Sequence, residues 1–375
     1  MPETQEGLIF DEMGICRACI SSEQKMHIDW DKKEKSLRKI LEHEMQNAGN
    51  NYDCIVPISG GKDSVYQLHV LTKIYNMRVL TVTFSHNWYS EIGWYNLTNC
   101  LEQFEVDHIM YTPNRKLISK TARNSLQAIG DSCWHCHAGI SPFVLNIAIK
   151  FGIKLVVWGE SISEQSGRSS HKDKVTSFDA DYFTKVSAKK TPKEMAFGDL
   201  TRRELSMFEN PTIEECEEAG VYGIHLGDYI FWDEERQTEF IKRHYAWKET
   251  EVEGAYKKYK SAECIMPGVH DFTCYLKRGY GRTTYQAASD VRNGIISQEE
   301  ADELIRLYDS ERPHALDYFL EITDYSEEEF HDIMKSLKHE KLKNIDIPVE
   351  VKTSESNKSI KPFVISEIER IKEQS

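Results

Sequence analysis

Between Cys54 and Ser64 the chain runs CIVPISGGKDS, an apolar stretch that breaks into Ser59-Gly60-Gly61-Lys62-Asp63-Ser64. Two glycines let backbone N–H groups approach an anion closely, and a helix start aims its unpaired N–H groups at the same place. Lys62 adds a positive charge, Ser59 and Ser64 add hydroxyl donors, and Asp63 offers a carboxylate to a magnesium ion. An ordinary glycine-rich connection explains the glycines but not the Lys-Asp-Ser that follows. The six residues are therefore a candidate phosphate site, with Lys62 and Asp63 expected at an exposed helix start where truncation costs little stability.

Two CxxC pairs, Cys16-Arg-Ala-Cys19 and Cys133-Trp-His-Cys136, have a spacing that suits a metal site. A redox dithiol is the competing reading, but no compact thioredoxin-like βαβ pattern surrounds Cys133. A third ligand is sought at Cys264 or Cys274. The set would suit zinc, or an iron–sulfur cluster with one iron left open. Cys54, Cys100 and Cys216 read as small core residues. Lys277-Arg278-Gly279-Tyr280-Gly281-Arg282 is the most basic local cluster, and the planar fork of Arg282 suits a phosphate or carboxylate. HLGDYIFW, residues 225 to 232, reads as a tight turn with His225 and Asp228 beside aromatics, as in a sugar- or nucleotide-lined cleft.

These residues need a scaffold. The apolar runs CIVPI (54 to 58), RVLTVTF (78 to 84), DHIMYT (107 to 112) and KLVVWG (154 to 159) alternate with helical stretches such as EIGWYNLTNCLEQF and SPFVLNIAIKFG. That alternation predicts an α/β fold, a doubly wound parallel sheet with ligands at the carboxyl ends of its strands. Residues 1–30 read as a small irregular cysteine-containing lobe, and 31–230 as the α/β domain, opened by an amphipathic helix over 31–49. Within it, 165–200 reads as a mobile loop or lid. Residues 231–352 read as a mostly helical C-terminal domain, and 353–375 as a solvated polar tail with one short helix. A net charge of −14 argues against a general nucleic-acid binder. No apolar run reaches membrane-spanning length, so neither signal peptide nor anchor is expected, and a cytoplasmic location is.

The Ser59–Ser64 segment lacks the longer gap and the Gly-Lys-Ser/Thr ending of a Walker loop. It resembles the SGGxDS signature of the PP-loop ATP pyrophosphatases, which cleave ATP between its α and β phosphates. The resemblance implies ATP and magnesium held by Ser59, Gly60, Gly61, Lys62, Asp63 and Ser64. In that superfamily the end of the strand KLVVWG presents a glycine and an acidic or polar residue to ATP. Gly159 and Glu160 stand there, Glu160 holding magnesium or the reacting substrate. Thr83, Phe84 and Ser85, ending the second strand, fall where adenine or ribose contacts are expected.

A longer set of segments sharpens the likeness: GICRAC, PISGGKDS, CWHCHAGI, VVWGES, HLGDYIFW, AECIMPGVHDF and KRGYGRTTYQAASDVRNG. Together, from about residue 7 to residue 300, they resemble the N-acetyl sugar amidotransferases of surface-polysaccharide and nonulosonate (pseudaminic or legionaminic acid) biosynthesis. The resemblance implies adenylation of a sugar's acetamido oxygen and displacement of AMP by ammonia, with Lys62, Asp63, Glu160 and Arg282 as catalytic residues. It makes Cys264 the preferred third metal ligand beside Cys133 and Cys136, because Cys274 falls where relatives usually have no cysteine. Relatives carry another cysteine pair just ahead of a Met-Pro-Asp/Glu-Thr like Met1–Thr4, so Cys16 and Cys19 would be half of a small zinc site. No glutaminase Cys-His elbow is visible, so ammonia is expected from a separate glutaminase resembling that of imidazole glycerol phosphate synthase. The rival reading is a PP-loop tRNA sulfurtransferase with an iron–sulfur or zinc site on a CxxC plus a later cysteine. A non-catalytic nucleotide-binding protein is a third, disfavoured by the intact loop.

Overall fold

The computed structural model describes residues 1–5, 7–161, 188–351 and 360–374. Its centre is a five-stranded, all-parallel sheet in the order β3-β2-β1-β4-β5. The strands are β1 (Cys54–Pro57), β2 (Val79–Phe84), β3 (Asp107–Tyr111), β4 (Leu155–Trp158) and β5 (Tyr222–His225). In register, Cys54 lies opposite Val79, Ile55 opposite Val156 and Leu155 opposite Tyr222. The first four strands are those that the apolar runs predict. The fifth, YGIH, was not expected, because four residues with a central glycine carry little strand signal.

The strands β1, β2, β4 and β5 are largely buried, as expected of a parallel sheet covered on both faces, whereas the edge strand β3 is only partly covered. Cys54, Val56, Leu155 and Val157 point to one face, under Leu37 and Leu41 of α2 (Trp30–Asn47), Leu68 of α3 (Lys62–Leu68) and Leu97 of α4 (Glu91–Phe104). Ile55, Val82 and Val156 point to the other, against Leu117 of α5 (Arg115–Ile129) and Val144 of α6 (Trp134–Phe151). Ahead of these helices, α1 spans Arg17–Lys25, so the N-terminal lobe is not wholly irregular: Cys16 is the N-cap of a nine-residue helix. Between β4 and β5 lies α7 (Ile213–Ala219). The loop or lid expected over 165–200 lies outside the described residues up to 187.

After β5, α8 (Glu234–Tyr245) adds Ile241 to the first face of the sheet. The following helices are α9 (Pro267–Arg278), α10 (Arg282–Arg292), α11 (Gln298–Tyr308), α12 (Ala315–Thr323), α13 (Glu327–Ser336) and α14 (Phe363–Glu373). A third core forms where Ile118, Ala122 and Leu126, on the outer side of α5, meet Val269, Phe272, Phe319 and Phe330. The helical unit thus grips the sheet domain through α5. The tail is not simply solvated, for the Phe363 N–H donates to the Tyr89 carbonyl at 2.9 Å. Among the described residues no helix is long and apolar enough to cross a membrane.

Candidate active site

The strand order reverses at β1, with β2 on one side and β4 on the other, and the Ser59–Ser64 loop leaves β1 at that point. Open α/β sheets bind ligands at such a switch. Gly60 has φ +83°, and a side chain there would put Cβ 2.6 Å from the Leu97 nitrogen, so only glycine fits. The Trp247 indole N–H donates to the Gly60 carbonyl at 2.9 Å, and the Ser64 hydroxyl donates to that of Gly61, also at 2.9 Å. No side chain caps α3, whose first turn begins at Lys62. Its leading N–H groups are the kind that an anion satisfies.

Lys62 departs from expectation. It is buried, at 6% exposure, because acidic groups from three elements converge on it. Its Nζ lies 2.5 Å from Asp63 Oδ2 and 3.9 Å from Glu234 Oε1, and Lys260 Nζ lies 2.7 Å from the other Glu234 oxygen. Burial opposes the charge on Lys62, but Asp63, Glu234 and Glu160 together outweigh it and hold its pKa above the usual lysine value. Glu160, just past β4, has its pKa pushed up to about 8 by burial and by Asp63, with Lys62 pulling the other way. Burial also works against the charge on Glu234, yet Lys62 and Lys260 hold its pKa below the usual carboxylate range. One carboxyl in this group is therefore poised to exchange a proton near neutrality while its neighbour stays ionised.

The helical unit completes the site. Glu263 lies on the stretch leading into α9, and its Oε2 is 3.3 Å from the point where a Gly61 Cβ would sit. Gly93 admits that stretch against α4, since a Cβ there would lie 2.2 Å from the Glu263 carbonyl oxygen. Arg282, at the start of α10, pairs with Asp271 and donates to the Ser261 hydroxyl at 2.9 Å. Glu160, Glu234, Lys260 and Arg282 share one cleft of about 1140 Å³, which Trp232 and Cys19 also line. Gln286 of α10 lines it too, buried with neither amide atom hydrogen-bonded. Sequence reasoning found Lys62, Asp63, Glu160 and Arg282 but missed Glu234, Lys260, Glu263 and Gln286. Glu263 and Gln286 fall within the quoted segments AECIMPGVHDF and KRGYGRTTYQAASDVRNG without having been singled out, whereas no local motif marks Glu234 or Lys260, which tertiary packing brings in.

Other predicted positions serve the scaffold. The Thr83 hydroxyl donates to the Ile58 carbonyl at 2.5 Å, and the Phe84 ring packs on Tyr111, Phe143 and Phe208. Ser85 is buried and accepts from the Asn87 N–H at 3.2 Å. Gly159 lies between Gln67 and Asp63, whose atoms would be 3.1 and 3.5 Å from an added Cβ. His225 Nδ1 is 2.9 Å from the Glu160 carbonyl oxygen, and Asp228 hydrogen-bonds Ser161, so the HLGD turn braces the end of β4.

The thiols form two groups. Cys16 and Cys19 have their sulfurs 3.4 Å apart, in the N-terminal lobe. Cys133 caps α6, with Cys136 one turn further on. The Cys264 thiol is pushed up by burial and then by Cys133 and Cys136, which places all three in one neighbourhood. Asp131, Cys133 and His270 have ligand atoms within 4.8 Å of one another. Asp131 and His270 were not singled out from sequence. Cys54 and Cys100 are buried core residues, as their apolar surroundings predict, and Cys216 is half-buried on α7.

Residues 253–352 match the family described as LPS biosynthesis protein WbpG-like, C-terminal domain. The matched stretch contains α9 and α10; it supplies Arg282 and Gln286 to the cleft and lays Glu263 against the loop at Gly61. Over a longer span the chain is 22% identical across 300 residues to an uncharacterized protein of Methanocaldococcus jannaschii, covering 80% of this chain and 88% of the relative. Among solved structures it is similar to NMN synthetase from Francisella tularensis. There the TM-score is 0.37 and the identity 10%, over 80% of this chain and 98% of that one.

Proposed function

We propose that this chain is an ATP-dependent amidotransferase of surface-glycan biosynthesis, converting the acetamido group of an N-acetyl sugar into an acetamidino group. The observation that carries the reading is the meeting of two parts beside one cleft, whose wall residues Glu160 and Glu234 face Lys62 of the loop. An SGGKDS loop lies at the switch point of a parallel sheet, and a WbpG-like LPS biosynthesis domain lays Glu263 and Arg282 beside it.

An amide carbonyl is a poor electrophile, and ammonia does not displace its oxygen unaided. Attack of that oxygen on the α-phosphate of ATP forms the P–O bond of an O-adenylated imidate and expels pyrophosphate. Ammonia then adds at the imidate carbon, AMP leaves with the oxygen, and a proton is lost to give the amidine. Lys62 and the loop N–H groups offset charge growing on the phosphates, which is the main task in such chemistry. To do so Lys62 exchanges its contact with Asp63 for one with phosphate oxygens. Asp63 and Glu234 suit magnesium: a hard cation takes carboxylate oxygens, and Asp63 Oδ1 is buried without a hydrogen-bond partner. Bound there, magnesium would neutralise phosphate charge. Glu160, with its raised pKa, is placed to take the proton that leaves nitrogen.

The test is mass spectrometry of candidate N-acetyl sugars, free and nucleotide-linked, incubated with ATP, magnesium and ammonium. The product should be lighter by about one mass unit, with AMP and pyrophosphate formed in equal amounts. Thiolation of tRNA in place of a sugar product would give the case to the sulfurtransferase reading.

A further inference from the structure

The structure assigns to Gln286 the choice of sugar: its side-chain amide hydrogen-bonds a ring hydroxyl of the substrate beside the reacting acetamido group. The identity of that ring rests on the amidotransferase reading, whereas the placement of the amide does not.

Three observations carry it. First, α10 turns one face to the cleft, for Arg282, Gln286 and Ser289 stand at i, i+4 and i+7 and all three line it. Gln286 is thus one turn, about 6 Å, along the helix from Arg282. Glu160 and Glu234, which face Lys62 of the loop, line the same cleft. Second, Gln286 is 2% exposed, and neither its amide oxygen nor its amide nitrogen has a hydrogen-bond partner. A buried amide left unpaired works against folding, and a ligand that pairs it recovers that loss on binding. Because no hydrogen bond holds the amide, turning about its side-chain bonds to meet a ligand breaks none. Third, the charges around it are already matched within the protein. Arg282 pairs with Asp271, and Lys257 Nζ lies 2.6 Å from Asp290 Oδ1 and 2.5 Å from Glu235 Oε1. The Tyr256 hydroxyl donates to Asp290 at 2.5 Å, and that of Tyr259 to Glu235 at 2.6 Å.

What Gln286 offers is therefore a neutral acceptor and donor, not a spare charge. A hydroxyl both donates and accepts, so a sugar hydroxyl satisfies either end of the amide, whereas a phosphate has acceptors alone and leaves the amide oxygen unpaired. The edge of adenine also pairs with a glutamine amide, but one amide fills it. Trp232, which ends HLGDYIFW, lines the same cleft with its indole N–H likewise buried and without a partner. A ring with several hydroxyls suits two such groups.

The test uses the full chain and Gln286→Met, which keeps the length of the side chain and loses both polar atoms. Without ligands the variant should melt as high as the parent or a few degrees higher. A lower Tm would show that the amide already has a partner in the folded protein, and would overturn the proposal. Should Gln286→Met not fold, Gln286→Leu takes its place, and failure of both counts against it in the same way. With the N-acetyl sugar that the unaltered protein converts, the variant's KM for sugar should rise about 10- to 100-fold while KM for ATP holds. Deoxy analogues of that sugar, one hydroxyl removed at a time, supply the second arm. The unaltered protein should reject one of them by about 10- to 100-fold, and Gln286→Met should treat that analogue and its parent sugar alike. A raised KM for ATP would give the amide to adenine. An unchanged KM for sugar would overturn the assignment and leave the amidotransferase reading standing, whereas no amidine from any N-acetyl sugar would remove the ring together with that reading.

Discussion

Lys62 is one cation among Asp63, Glu160 and Glu234, and removing it should do two separable things. Lys62→Met should lower pyrophosphate release by about 10²- to 10³-fold, the scale on which single transition-state donors act. It should also cost about 3 kcal/mol of stability in urea titration, because its carboxylate partners are left unpaired. Sequence alone suggested an exposed lysine and a silent truncation, and burial of the site reverses that expectation. Glu160 offers a cleaner readout. Its carboxyl holds a proton in the folded state up to about pH 8, which the unfolded chain has already lost above the ordinary carboxylate range. Over that window the unfolded state binds fewer protons, so stability falls as pH rises. Glu160→Gln should therefore melt a few degrees higher than the parent at pH 8 without magnesium, and at nearly the same temperature at pH 4.5. Equal melting temperatures at both pH values would mean that Glu160 titrates normally.

At the scale of elements, the apolar runs located β1 to β4 within a residue or so, and the amphipathic pattern at 31–49 became Trp30–Asn47. CIVP and LVVW announce themselves at only four residues each because a strand covered on both faces is continuously apolar. What stayed hidden lacked a continuous pattern: YGIH, broken by its glycine, and the helix Arg17–Lys25, which follows Cys16 without a side-chain cap. The same limit governs the site. SGGKDS is legible because its chemistry is contiguous, whereas Glu234, Lys260 and Glu263 reach Lys62 through the docking of α8 and the segment before α9. That docking depends on Gly93, against which the Glu263 backbone lies. Gly93→Ala should cost about 1–3 kcal/mol by overpacking, measured by denaturation. It should also cut pyrophosphate release, since displacing Glu263 disturbs the loop at Gly61. A variant of normal stability and rate would show that the two segments part easily.

At the scale of the whole molecule, the proposed reaction needs ammonia, and its source separates this chain from a self-sufficient glutamine enzyme. The chain alone should use ammonium but not glutamine. Ammonium is mostly protonated at neutral pH, so the rate should climb with pH as free ammonia grows. Glu160 ionises in the same window, and the two causes are separable: in Glu160→Gln the climb should persist if it belongs to ammonia. With a separate glutaminase of the kind that serves imidazole glycerol phosphate synthase, glutamine should serve as donor, and the pH dependence should flatten because ammonia passes without entering bulk solvent. A net charge of −14 favours a partner with a basic docking face, so glutamine-driven turnover should fall as salt rises while ammonium-driven turnover holds. Glutamine use by the pure, isolated chain would defeat the two-protein scheme. A glutamine-driven rate indifferent to salt would show that charge does not bring the pair together.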